Sequence, residues 1–223
     1  MVPADSEAQE CGPAPAAKLA WSGEVVAVQP RIRLLRSFDQ RNHAYSGYAL
    51  FLRGPLDGVV REFSVGIGTG AQAKHAFRVG DTVRGLATPV ADERMETVGL
   101  YKASALEVIA RGPTPPASGP PWRGVPPSLE TYRARGHRRL DPRTYEASCR
   151  TCIWGCRMPV EITLDQWKPN VREYRFETFC YGPKSCPAYR AGATRKVPGR
   201  KGMTWEEEDW VDEDATSNRG PDE

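Results

Sequence analysis

Five cysteines crowd the last third of the chain, and they constrain the fold more than any other feature. Cys149-Arg-Thr-Cys152-Ile-Trp-Gly-Cys156 comes first, and Cys180-Tyr-Gly-Pro-Lys-Ser-Cys186-Pro187 follows. Thiols grouped in this way either oxidise to disulfides or hold a metal, and the redox compartment decides between the two. The N-terminal segment MVPADSEAQECGPAPAA carries acids and prolines and no apolar core, so it does not read as a signal peptide. No run of about 18 apolar residues occurs, so no membrane span is expected. A cytoplasmic location follows, with reduced thiols and therefore a metal site. Cys11, alone in the N-terminal arm, stands outside that site.

The residues between the two cysteine groups place them in space. Val160-Glu-Ile-Thr-Leu164 alternates like a strand, Asp165–Asn170 reads as a turn, and Val171–Phe179 returns as a second strand. A hairpin of this kind brings both groups to one end. The arrangement resembles a zinc ribbon, in which two cysteine-bearing turns at the base of a hairpin clamp one Zn²⁺ tetrahedrally. The first turn, Cys-x₂-Cys, fits that family, whereas the second separates Cys180 and Cys186 by x₅. The candidates Cys149, Cys152, Cys156, Cys180 and Cys186 also exceed the four that zinc needs. For zinc the order of preference is Cys149, Cys152 and Cys180, then Cys186, then Cys156. The alternative cofactor is a 4Fe-4S cluster, because three close cysteines with a remote Cys-Pro form a recurring iron–sulfur pattern. That cluster would use Cys149, Cys152, Cys156 and Cys186 and leave Cys180 over. A third possibility is a set of reduced thiols without metal. Every donor is a thiolate and His137 is the only histidine nearby, so a metal here is expected to be structural and closed, not catalytic.

The rest of the chain divides by composition. Residues 1–18 form an Ala/Pro/acid-rich arm that reads as disordered. Residues 19–112 are β-rich, with strand-like stretches at 23–37, 44–54, 59–68, 82–90 and 98–111 and a short helix at 70–77. Pro30 interrupts the first stretch and predicts a bend or an edge position there. Residues 113–128, PTPPASGPPWRGVPPS, read as a stiff Pro-rich linker. Residues 129–190 hold a short basic helix, carrying Arg133, Arg135, Arg138 and Arg139, and the cysteine hairpin. Residues 191–223 form a basic-then-acidic tail. The phrase Phe77-Arg-Val-Gly80-Asp81-Thr-Val83 and the stretch Tyr101–Val108, set in a β-β-β-α-β-β order, resemble the OB-fold over roughly residues 20–112. The resulting expectation is a mainly β protein: a five-stranded OB-like barrel with one short helix, followed by a small metal-binding β-hairpin domain.

Charge and aromatic patterning suggest what such a protein does. Net charge is only +3, but the segment from Trp205 onward is strongly acidic, so the remainder carries a positive excess. The OB resemblance implies binding of oligonucleotides or oligosaccharides on strands two and three. The residues there interleave cations with aromatics, as single-strand binding requires. The candidates are Arg31, Arg33, Arg36, Arg41, Tyr45, Tyr48 and Lys74, extended by Arg195, Lys196, Arg200 and Lys201. The acidic tail reads as solvated, or as a dock for a basic protein partner, or as a segment folded back on the protein's own basic surface. Gly66-Ile-Gly-Thr-Gly-Ala71 lacks a P-loop's Gly-Lys-Ser/Thr ending and any βαβ context, so it is not read as a nucleotide loop. No nucleophile–base or paired-carboxylate constellation stands out, and no catalysis is assigned. The expected function is nucleic-acid binding with a structural metal. The rivals are an iron–sulfur protein in redox chemistry or nucleic-acid processing, and a protein-interaction adaptor.

Overall fold

The computed structural model describes residues 17–38, 40–114 and 119–220. The expected disordered arm lies outside these residues up to position 16, and so does part of the Pro-rich linker. The described protein is mainly β, built on one large sheet. Among the described residues no helix is long and apolar enough to cross a membrane.

The N-terminal half runs β1 (Leu19–Arg36), β2 (Arg41–Leu56), β3 (Val59–Ile67), α1 (Thr69–His75), β4 (Thr82–Pro89) and β5 (Leu100–Ala110). Asp57 and Gly58, with φ of 51° and 79°, make the tight turn between β2 and β3. Two positive φ values in a two-residue loop match the right-handed twist of the flanking strands. β1 pairs with both β2 and β4, and the remaining pairings run β2-β3-β5-β4, so the sequence of pairings returns to its start. The turn before β4 is held by buried Asp81. Its carboxylate accepts from Gly112 N at 3.1 Å and Arg111 Nη1 at 2.8 Å, while its carbonyl accepts from Val25 N at 2.8 Å. Gly112 packs so closely on Gly80 that an added Cβ would lie 2.3 Å from the Gly80 carbonyl carbon.

β1 is long enough to serve both halves of the chain. Its register slips between Val25 and Ala27 and again between Pro30 and Ile32, and such bulges let a long strand bend. Before the slips, Leu19–Glu24 pairs with β4. After them, Leu34–Arg36 pairs in parallel with Val160–Ile162 of β7 (Gly155–Thr163). β8 (Arg172–Cys180) and β6 (Arg138–Arg139) then extend the same sheet. α2 (Leu129–Arg135) precedes them, and α3 (Pro142–Thr144) runs on into a π-helical turn, Tyr145–Cys149. The sequence divides 19–112 from 129–190, but in the fold the two segments share a core. Val28, Ile32 and Leu34 of β1 cluster with Met158, Val160, Ile162 and Phe179. The reason is the second half of β1. β2 pairs one edge of it to Arg36, and without the hairpin packed on it Ile32 and Leu34 would lose cover, each such side chain stabilising by about 1.5–3 kcal/mol when buried.

The C-terminal segment is a second difference. Where composition predicts a solvated tail, the chain forms β9 (Arg195–Pro198), β10 (Thr204–Glu207) and α4 (Trp210–Ala215). Glu207 is buried between Arg36 at 3.2 Å and Arg41 at 2.9 Å. Buried Arg139 pairs with Asp209 and, at 3.1 Å, with Asp212, and it donates to Glu207 O at 2.8 Å. Of the three readings of the tail, these contacts are those of a segment folded back on the protein's own cations. The physical cause is that Arg36 and Arg139 are enclosed by the sheet, and a buried cation needs a carboxylate.

Candidate functional site

The thiol cluster is built from two turns at one end of β7 and β8. Cys149 closes the π-helical turn, Cys152 N donates to Cys149 O at 3.0 Å, and Gly155 N donates to Cys152 O at 3.1 Å as β7 begins. Ile153 N donates to Trp122 O at 2.8 Å, which ties the Pro-rich segment to the turn. On the other side β8 ends at Cys180, and Cys186 N donates to Pro183 O at 3.1 Å in the following turn. Cys149, Cys152 and Cys180 are buried together with Leu140 and Tyr145, under a cover of Trp122, Trp154 and Tyr189.

Cys156 is not part of this group. In an antiparallel ladder, residues directly opposite share a face and successive residues alternate. Cys156 stands opposite Phe179, and Gly155 opposite Cys180, so Cys156 and Cys180 point to opposite faces. The Cys156 thiol is fully buried in the main core, where it donates to Pro30 O at 3.5 Å. Of the five cysteine candidates, then, Cys149, Cys152 and Cys180 cluster, Cys186 sits in the turn after β8, and Cys156 faces away. All are reduced.

Burial sets the chemistry of the thiols. It pushes Cys149 up to about 12, reinforced by Cys180, Cys152 and Cys186. It pushes Cys152 up to about 11, against the backbone amides that face its sulfur, Trp154 first. It also raises Cys180, whose sulfur accepts from Gly182 N at 3.4 Å, and Cys156. As they stand, Cys149, Cys152 and Cys180 are protonated at neutral pH. Among the described residues no group of three or more His, Cys, Asp or Glu side chains is placed to hold a metal ion. Cys149, Cys152 and Cys180 share one buried cluster, and backbone N–H groups face the sulfurs of Cys152 and Cys180. Metal binding would release the protons that burial holds on.

Sequence reasoning missed the residue that holds the first turn. Gln29, 2% exposed in β1, donates from Nε2 to the carbonyls of Cys149 at 3.0 Å, Arg150 at 3.1 Å and Cys152 at 3.0 Å. Its Oε1 accepts from the Tyr145 hydroxyl at 2.8 Å. Gly155 permits this approach, since an added Cβ would lie 2.9 Å from Gln29 Nε2 and 2.4 Å from Cys149 O. The only sequence signal was a lone amide inside the run Val25–Pro30.

The candidate nucleic-acid residues fall into two groups. Those on β1 and β2 are largely occupied by the protein itself. Arg31 and Arg33 pair with Glu96 at 3.4 and 3.3 Å, Arg36 and Arg41 with Glu207. Tyr48 is 3% exposed and donates to Pro127 O at 2.7 Å, so its ring cannot meet a base. Tyr45 is half-buried beneath the Arg133 guanidinium, 4.8 Å from its ring centre. Arg195 pairs with Glu177 at 3.0 Å. By contrast Lys74, Lys196, Arg200 and Lys201 are exposed, and among the described residues they have no carboxylate partner.

Behind Tyr45 lies a histidine pair that the sequence did not single out. His43 and His137 pack with ring centres 4.8 Å apart, and His137 also meets Phe179 and Tyr181. Burial, then Arg41 and Arg36, lowers His43 to about 4, and burial lowers His137 well below its ordinary value. Both rings are neutral at pH 7. Compared with family models, with curated proteins and with solved structures, the chain matches none.

Proposed function

We propose that this protein is a non-enzymatic nucleic-acid-binding protein, in which an OB-like barrel is fused to a hairpin unit held by one structural zinc ion. Cys149, Cys152, Cys180 and Cys186 are the proposed ligands, and Cys156 is a core thiol. The zinc would cross-link the turn before β7 to the turn after β8, a role that needs no open coordination position. The opposite facing of Cys156 and Cys180 favours zinc over an iron–sulfur cluster, because the 4Fe-4S alternative needs Cys156 beside Cys149 and Cys152. The closed order of pairings among β1 to β5 supports the OB-like reading.

The observation that carries the binding reading is the contrast between satisfied and unsatisfied cations. Among the described residues, Arg31, Arg33, Arg36 and Arg41 on β1 and β2 have carboxylate partners, whereas Lys74, Lys196, Arg200 and Lys201 have none. The proposed contact surface therefore moves from the strand-two face to the loops around β9 and β10. Binding of a labelled 20-nucleotide single strand, titrated at 50 and 200 mM salt, tests this. Affinity should fall steeply with salt, with a slope of about −0.7 per phosphate contacted. K196A/R200A/K201A should weaken binding and flatten that slope by about 2. A salt-independent interaction, or none, contradicts the proposal.

A further inference from the structure

The end of the molecule beyond β7 and β8 presents a large apolar ring that packing does not explain. Trp167 is 82% exposed at the turn between these strands. The turn itself is tightly tied. Asp165 Oδ1 accepts from Trp167 N at 3.0 Å, Lys168 N donates to Asp165 O at 2.9 Å, and Val171 N donates to Lys168 O at 2.9 Å. Leu164 N donates to Val171 O at 3.1 Å and closes the loop. A fixed backbone thus holds an indole out in water.

One loop borders this turn, and a second packs on that loop. A groove of about 410 Å³, lined in part by Gln40, Asn42 and Gln166, joins it to the loop between β1 and β2. Phe38 of that loop lies against Gly199, where an added Cβ would stand 2.9 Å from the ring. The turn between β9 and β10 therefore reaches the same end. It carries Arg200 and Lys201, which together with Lys168 have no carboxylate partner among the described residues. A platform of one exposed indole, a groove edged by side-chain amides and three available cations is thus assembled from loops far apart in sequence.

We infer that this three-loop end binds single-stranded nucleic acid, with Trp167 as the stacking platform for a base and Lys168, Arg200 and Lys201 on the flanking phosphates. The inference rests on the nucleic-acid reading proposed above and adds to it a place and a strand preference. An indole needs a free base face, which a single strand offers and a duplex hides inside its stack. The Gln40 and Asn42 amides on the groove suit the hydrogen-bonding edges of bases and do not suit acyl chains, which sets nucleic acid above a lipid surface.

The test uses the full chain and its W167A and W167F variants. The probes are a fluorescein-labelled mixed-sequence 12-nucleotide strand, the matching duplex, an abasic strand of equal length, and vesicles of phosphatidylserine and phosphatidylcholine. Because Trp167 touches little of the protein, both variants should unfold at the wild-type temperature. The unmodified protein should prefer the single strand to the duplex. W167A should lose at least about fivefold in affinity for it, while W167F, which keeps an aromatic face, stays within about threefold. The abasic strand should bind wild type and W167A alike. If wild type binds the 12-mer and W167A binds it equally well, the stacking site is wrong and the broader reading survives. If wild type binds neither strand nor duplex, both fail. Equal affinity for duplex or abasic strand, or Trp167-dependent binding to vesicles alone, also overturns the inference.

Discussion

Gln29 sits in β1, far along the chain from the cysteines, yet it fixes where two of them lie. Its amide collects three carbonyls of the turn that presents Cys149 and Cys152. Gln29→Leu keeps the volume and removes the bonds to the Arg150 carbonyl and the Tyr145 hydroxyl, while Cys149 O and Cys152 O keep their backbone donors; each lost bond costs about 1–3 kcal/mol where water cannot replace it. The expected outcome is a stability loss of about 2–3 kcal/mol by denaturant titration. Faster iodoacetamide labelling of Cys149 in the folded protein should accompany it. The histidine pair gives a pH prediction at the same scale. His43 falls from an ordinary value of 6.5 to about 4 on folding, so the unfolded chain takes up a proton that the folded protein refuses. Its contribution is complete above pH 6.5 and is lost progressively as pH falls toward 4. A tenfold difference in proton affinity between the two states is worth about 1.4 kcal/mol, so stability should drop by about 2–3 kcal/mol across that window. Repeating the titration on H43Q/H137Q should remove most of that slope. Little of this was legible in the chain. Alternation tells which residues share a face, but not which later segment covers it. For that reason Arg36 and Tyr48 read as surface candidates and are enclosed.

The elements from β9 to α4 behave as a clamp on the sheet. Glu207 answers Arg36, whose side chain is 1% exposed, and α4 brings Asp212 to Arg139. Removing one partner of a buried pair leaves the other charged and unsolvated, which costs about 3–5 kcal/mol. E207A should therefore lower the unfolding free energy by that amount, moving the urea midpoint without changing the slope, while E207Q, which keeps hydrogen-bonding capacity, should cost less. Deleting residues 203–223 should destabilise the fold more than E207A does, since it removes β10 and α4 together. A truncated chain with the full-length midpoint would mean that the segment is not docked in solution. Composition hid this clamp because a dense acidic run has no periodicity, and its partners are cations that only the folded sheet brings together. The hairpin of β7 and β8, by contrast, was readable from its alternation and its Asp165–Asn170 turn.

At the scale of the whole molecule, one strand organises everything. β1 pairs with β2 along nearly its whole length, with β4 along its first part and with β7 beyond Pro30, so the N-terminal sheet and the cysteine hairpin share a core. The order of the first five strands followed from the sequence, and the interruption expected at Pro30 falls where the register slips between Pro30 and Ile32. The joining of the two halves did not, because nothing in a strand's own residues names its neighbour. A zinc ion at the hairpin's end would fasten the turns that this core leaves at its margin. Chelation should therefore loosen the turns around Cys149 and Cys186, seen as faster amide exchange there, while β1 to β5 stay protected. The most direct measurement is elemental analysis with a visible spectrum on anaerobically purified wild type, C156A, C149S and C180S. The expected result is one zinc per chain in colourless wild type, kept in C156A and lost in both C149S and C180S. Iron with visible absorbance, no bound metal, or zinc lost from C156A but kept in C180S would contradict it.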